Sequence, residues 1–78
     1  MIIVDTKQIG ALLQGRRKAL GFSQTDLASR VDLSQNRLSE LESRPETLTV
    51  EQLLALLNVL GIEMTLTERA AGKRKAEW

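Results

Sequence analysis

The chain has no cysteine and no histidine among its 78 residues. Disulfide staples are therefore excluded, and so is a zinc site built from the usual Cys and His ligands. Aromatic side chains are nearly as scarce, with one Phe, one Trp and no Tyr, and proline occurs once. No apolar run approaches the roughly 18 residues that a membrane helix needs. The segment Met1–Val4 is too short for the apolar region of a signal peptide and lacks a basic lead-in. These absences predict a soluble, cytoplasmic protein with no membrane partner. They also weigh against catalysis: no glycine-rich phosphate loop occurs, and no serine or carboxylate stands beside a plausible base. Neither a cofactor nor a metal is expected.

What is present fits one small domain with a leucine-rich core. A chain of this length buries only about 60% of the surface it exposes when unfolded. With no staples to help, self-association is the simplest further source of stability. The net charge of +1 does not by itself indicate a nucleic-acid binder, but the charges are unevenly placed. Residues 1–30 carry five basic and two acidic side chains, whereas residues 31–78 carry six basic and eight acidic ones. A basic first half and an acidic second half suit a protein whose two ends meet different partners.

Four helices follow from periodicity and punctuation. Asp5 and Gln8 have the spacing of a capping box, and Ile9, Leu12, Leu13 and Leu20 recur on one face up to a left-handed stop at Gly21. Gly10 and Gly15 weaken this helix by up to about 1 kcal/mol each relative to alanine. Ser23 opens a second helix of about two turns, with Asp26 favouring its positive end and Leu27, Ala28 and Val31 facing inward. Ser34 caps a third helix that runs to about Ser43, with Leu38 and Leu41 inward, and Pro45 prevents its continuation. Thr49 and Gln52 form another capping box, ahead of a fourth helix with a wide apolar face that stops at Gly61. Beyond it the period changes to two: Ile62, Met64 and Leu66 alternate with Glu63, Thr65 and Thr67, which predicts a strand over 62–67.

The stretch from Ser23 to Glu42 is the most informative. Two short helices joined by a tight turn, with small Ala28 at their closest approach, leave one side of the third helix outward. That side carries Gln35, Asn36 and Ser39, with Glu40 and Ser43 beside them. Amides and hydroxyls on a helix suit the major groove, where Gln and Asn pair bidentately with adenine. Glu40 either accepts from a cytosine amine or points away.

Residues 9–60 resemble the phage-repressor-like (XRE) helix-turn-helix family. The matching residues are Arg17, Gly21, Ser23-Gln24, Leu27-Ala28, Val31, Leu33-Ser34, Leu38-Ser39 and Glu42; Asp32 stands where the family usually places glycine. The resemblance implies a mainly α, four-helix DNA-binding domain. It gives Gln35, Asn36 and Ser39 the reading of base edges. Ser23, Gln24, Ser34, Arg37 and Arg44 are assigned to the DNA backbone, with a salt bridge to a neighbouring acid as the alternative for Arg37. Arg16 and Lys18 are further phosphate candidates. Arg17 is expected to pair with Glu42 inside the domain rather than to meet DNA.

A lone strand has two unpaired edges. Pairing of 62–67 with its copy across a two-fold axis predicts a homodimer on an inverted-repeat operator; pairing with Ile2–Val4 of the same chain is the alternative. Residues 1–68 thus form the DNA-binding domain, with dimerisation through 62–67, and 69–78 a flexible tail. Leu60-Gly61-Ile62-Glu63-Met64-Thr65-Leu66 and the terminal Glu77-Trp78 are similar to HipB-type antitoxins. That similarity implies autorepression and a HipA-type serine/threonine kinase toxin as partner, with Trp78 as the anchor in the toxin's pocket. A free-standing repressor, or a protein-only scaffold that has lost DNA binding, are the other readings.

Overall fold

The structure, a computed structural model, describes residues 2–68. It contains helices α1 (Thr6–Ala19), α2 (Gln24–Arg30), α3 (Gln35–Ser43) and α4 (Val50–Leu60), with a 3-10 turn at Pro45–Thr47 between the last two. Each α-helix begins at a side-chain cap. Asp5 and Gln8, Ser23 and Asp26, and Thr49 and Gln52 form reciprocal capping boxes, while the Ser34 hydroxyl accepts from the amide of Arg37 at 3.0 Å. These contacts satisfy amides that a helix start otherwise leaves unpaired. At α2 the arrangement also sets a charge state. The Ser23 N–H and hydroxyl, aided by nearby Arg30, hold the Asp26 carboxyl below the ordinary aspartate range.

The helix ends show why the turns fall where they do. Gly21 (φ 81°) and Gly61 (φ 70°) take left-handed conformations after α1 and α4. Asp32 does the same between α2 and α3, with φ 61°, a conformation that aspartate tolerates better than most residues. The turn is held by the Leu33 amide donating to the Ala28 carbonyl at 2.9 Å.

The core consists of Leu13, Leu27, Ala28, Leu38, Leu41, Leu56, Leu57 and Leu60, with Ile9, Phe22, Val31, Leu33, Leu48, Leu53, Val59 and Ile62 packed around it. Leu20 departs from the expected inward face of α1 and is exposed, and Val50 and Leu54 on α4 are exposed as well. The reason for Gly10 lies in packing: a Cβ there would stand 2.6 Å from the Glu42 carbonyl oxygen and 3.1 Å from Pro45. Glycine lets α1 lie directly against the end of α3. No such neighbour surrounds Gly15.

The expected strand is not formed. Residues 62–68 and 2–4 are without regular structure, and the described residues contain no strand; the pairing of 62–67 with Ile2–Val4 is therefore absent too. The physical reason is local. The Gln8 side chain takes up the N-terminal backbone, accepting from the Val4 and Asp5 amides and donating to the Ile2 carbonyl. A strand without a ladder partner has nothing to hold it. Ile2, Val4 and Leu66 remain largely exposed, at 81%, 74% and 85%. The proposed tail 69–78, and Trp78 with it, lies outside the described residues.

Candidate nucleic-acid interface

The inward side of α3 is built around Leu38 and Leu41, both fully buried. With the helix pinned by these two, its 100° steps turn Asn36 and Ser43 outward, with Gln35 and Ser39 on one flank and Glu40 on the other. Gln35, Asn36 and Ser43 are exposed, and Ser39 and Glu40 are half-buried. The starts of α2 and α3 carry exposed Ser23 and Ser34, each engaged in capping. The three residues expected to read bases thus share one outward helix surface.

One end of that surface is tied to the interior. The Arg17 guanidinium donates to Glu42 through Nε (2.6 Å) and Nη2 (3.1 Å), and to the Phe22 carbonyl through Nη1 (2.9 Å). Both side chains are nearly sealed from solvent, 8% and 4% exposed. The expected pairing of Arg17 with Glu42 is therefore present, in a bidentate form that suits a buried carboxylate. From there the chain of hydrogen bonds runs outward. Gln24 Nε2 donates to Glu42 Oε1 at 3.1 Å, and Gln35 Nε2 donates to Gln24 Oε1 at 2.7 Å. A carboxylate only accepts, so Glu42 dictates which end of the Gln24 amide faces it. Gln24 in turn dictates the orientation of Gln35, whose carbonyl oxygen and second N–H stay available.

The cations divide into engaged and available ones. Arg37 donates to Glu40 Oε1 (2.8 Å), to Thr47 through its hydroxyl (3.4 Å) and carbonyl (3.0 Å), and to Gln52 Oε1 (3.3 Å). It fastens α3 to the following turn and to the cap of α4, and the salt bridge to a neighbouring acid is the contact it makes. Arg16 donates to the Leu60 carbonyl at 2.9 Å, closing the end of α4. Arg44 makes a loose, exposed pair with Glu46 at 3.6 Å. Lys18 is exposed. Sequence patterning signalled none of these longer tethers, because Arg16, Arg37, Thr47, Gln52 and Leu60 come together only in the folded chain.

Helix α2, the Asp32 turn and outward-facing α3, packed across α1 and closed by α4, have the layout of a helix-turn-helix domain, and the sequence profile described as Helix-turn-helix, HTH_3, matches residues 13–66. The chain belongs to the HTH_3 helix-turn-helix family. The ImmF control region 10 kDa protein of Bacillus phage phi105 is 32% identical over 60 residues, covering 73% of this chain and 67% of that protein. Among solved structures, a chain of the HipA-HipB-O2-O3 complex superposes with a TM-score of 0.79 at 25% identity, over 87% of this chain and 96% of its own length. A HipB-O4 20mer complex gives the same score, identity and coverage. This HTH_3 chain is thus a helix-turn-helix DNA-binding regulator with a mainly helical four-helix fold like that of HipB. Among the described residues, no helix is long and apolar enough to cross a membrane, and no cluster of acidic side chains could hold a metal ion.

Proposed function

We propose that this protein is a sequence-specific DNA-binding antitoxin and transcriptional autorepressor. It acts as a homodimer on an inverted-repeat operator and neutralises a HipA-type serine/threonine kinase toxin. The observation that carries the DNA reading is the outward surface of α3, where Gln35, with one amide N–H and its carbonyl oxygen free, lies beside exposed Asn36 and half-buried Ser39. Gln35, Asn36 and Ser39 read base edges; a Gln or Asn amide presents the donor and acceptor that adenine complements. Ser23, Gln24, Ser34 and Arg44 lie along the DNA backbone. Arg37, expected at the DNA backbone, instead supports α3 from behind through Glu40, Thr47 and Gln52.

The likeness to chains solved in HipB–operator and HipA–HipB complexes supports the antitoxin reading. In that reading residues 1–68 form the DNA-binding unit. The exposed apolar side chains at Ile2, Val4, Met64 and Leu66 are covered by a second copy, and residues 69–78 carry Trp78 to the toxin. A free-standing repressor uses the same DNA surface and is favoured by the similarity to the phage control-region protein. A kinase-like reading frame beside this one distinguishes the two.

The test of the DNA reading is the double substitution Gln35→Ala, Asn36→Ala, assayed by selection from a randomised duplex library. The wild-type protein enriches a half-site, and the variant loses that enrichment while keeping salt-sensitive binding to bulk DNA. A variant that enriches the same half-site as the wild type overturns the proposal.

A further inference from the structure

We propose that Glu40 is an additional base-reading residue, and that the base it selects is a cytosine, held through its exocyclic amine. The proposal rests on α3 being the helix that enters the major groove. Glu40 lies one turn along α3 from Asn36, on the flank opposite Gln35, so it extends the reading surface in the direction the other three residues leave empty.

A carboxylate near phosphates is ordinarily repelled, and the structure supplies the remedy. Oε1 of Glu40 accepts from Arg37 Nη1 at 2.8 Å. That cation is itself held in place, because its Nη1 and Nη2 also donate to Thr47 and Gln52. The pair is locally neutral and pre-oriented. Among the described residues nothing donates to Oε2 of Glu40, so one oxygen is left to accept from outside.

An ionised carboxylate accepts and cannot donate. In the major groove guanine offers two acceptors, and thymine offers an acceptor and a methyl group. Both would leave Oε2 facing a lone pair or a methyl. Adenine places its N6 amine beside the N7 acceptor. Cytosine alone offers a donor with no acceptor of its own next to it. Glu40 therefore selects by attraction to one base and by repulsion of its competitors.

The experiment compares the full-length wild-type protein with Glu40→Ala and Glu40→Gln in selection from a randomised duplex library. Each is followed by competition with single-base variants of the enriched site, and far-ultraviolet circular dichroism monitors folding. In the wild type, one half-site position prefers cytosine by roughly fivefold or more. Glu40→Ala flattens that position and no other. Glu40→Gln moves the preference there toward a base that offers an acceptor, guanine or thymine, because Arg37 holds the amide oxygen and leaves only the N–H donors outward. An unchanged base ranking in both variants overturns the assignment, even if binding to every sequence tightens uniformly through loss of a like charge. Loss of a preference for a base other than cytosine overturns it as well. If the wild type shows no preference at any position, the groove reading itself fails and the assignment falls with it. That result is distinct, because every position is then flat.

Discussion

The helical body and the extended ends of this chain face the same demand, to bury apolar surface and satisfy the backbone, with opposite results. Between Thr6 and Gly61 every α-helix start is capped by a side chain, and a charged pair is buried with bidentate geometry. At the ends, Ile2, Val4, Met64 and Leu66 stand exposed, and no ladder forms among the described residues. The contrast teaches that the body buries its apolar surface as one copy, whereas the ends leave theirs exposed. Gln35 at the body's surface is held from within by Gln24, whereas the side chains of Ile2, Val4, Met64 and Leu66 are left exposed.

The hardest blow to the body should come from Arg17→Ala. It strands the Glu42 carboxylate in a nearly sealed site with only Gln24 to donate, and loss of one member of a buried pair costs about 3–5 kcal/mol. Denaturant unfolding measures this directly, and an unchanged midpoint would show that the pair is not part of the body's stability. A smaller effect separates two glycines of α1. Gly10→Ala drives a methyl group into the Glu42 carbonyl and should destabilise by about 1–3 kcal/mol, whereas Gly15→Ala meets open space and should stabilise by up to about 1 kcal/mol. Thermal melts of the two variants moving the same way would contradict the close approach of α1 to α3. The smallest effect on folding belongs to the ends. Met64→Ser with Leu66→Ser should change the stability of the dilute monomer by no more than about 0.5 kcal/mol. It should nevertheless reduce self-association in sedimentation at micromolar concentration. A large loss of monomer stability would mean that the ends belong to the body after all.

Much of this was legible from residue order because the relevant signals are local. Capping residues, the stops at Gly21, Gly61 and Pro45, and the inward leucines of α3 depend on neighbours within a turn or two of chain. The expected pairing of Arg17 with Glu42 came from family resemblance, since no periodicity links residues 25 positions apart. Long-range contacts escaped for the same reason. Arg37 looked equally suited to phosphate or to an acid, and only the proximity of Thr47 and Gln52 shows how thoroughly its donors are used. Gly10 looked like a weak point of α1, yet it is where α1 and α3 meet. The strand at 62–67 illustrates the converse: alternation reports which faces a segment would have, but a strand exists only when a second one lies alongside.

The hydrogen-bonded line from Glu42 through Gln24 to Gln35 has a consequence for how such a protein can be retargeted. Among the described residues the side chains of Asn36 and Ser39 have no partner whose loss would be felt elsewhere, so sites with different bases at those steps are reachable by single, foldable changes. Replacing Gln35 instead releases Gln24 and, behind it, one of the donors to a buried carboxylate. Drift in operator preference should therefore begin at the two untethered positions, with Gln35 the last of the three to move.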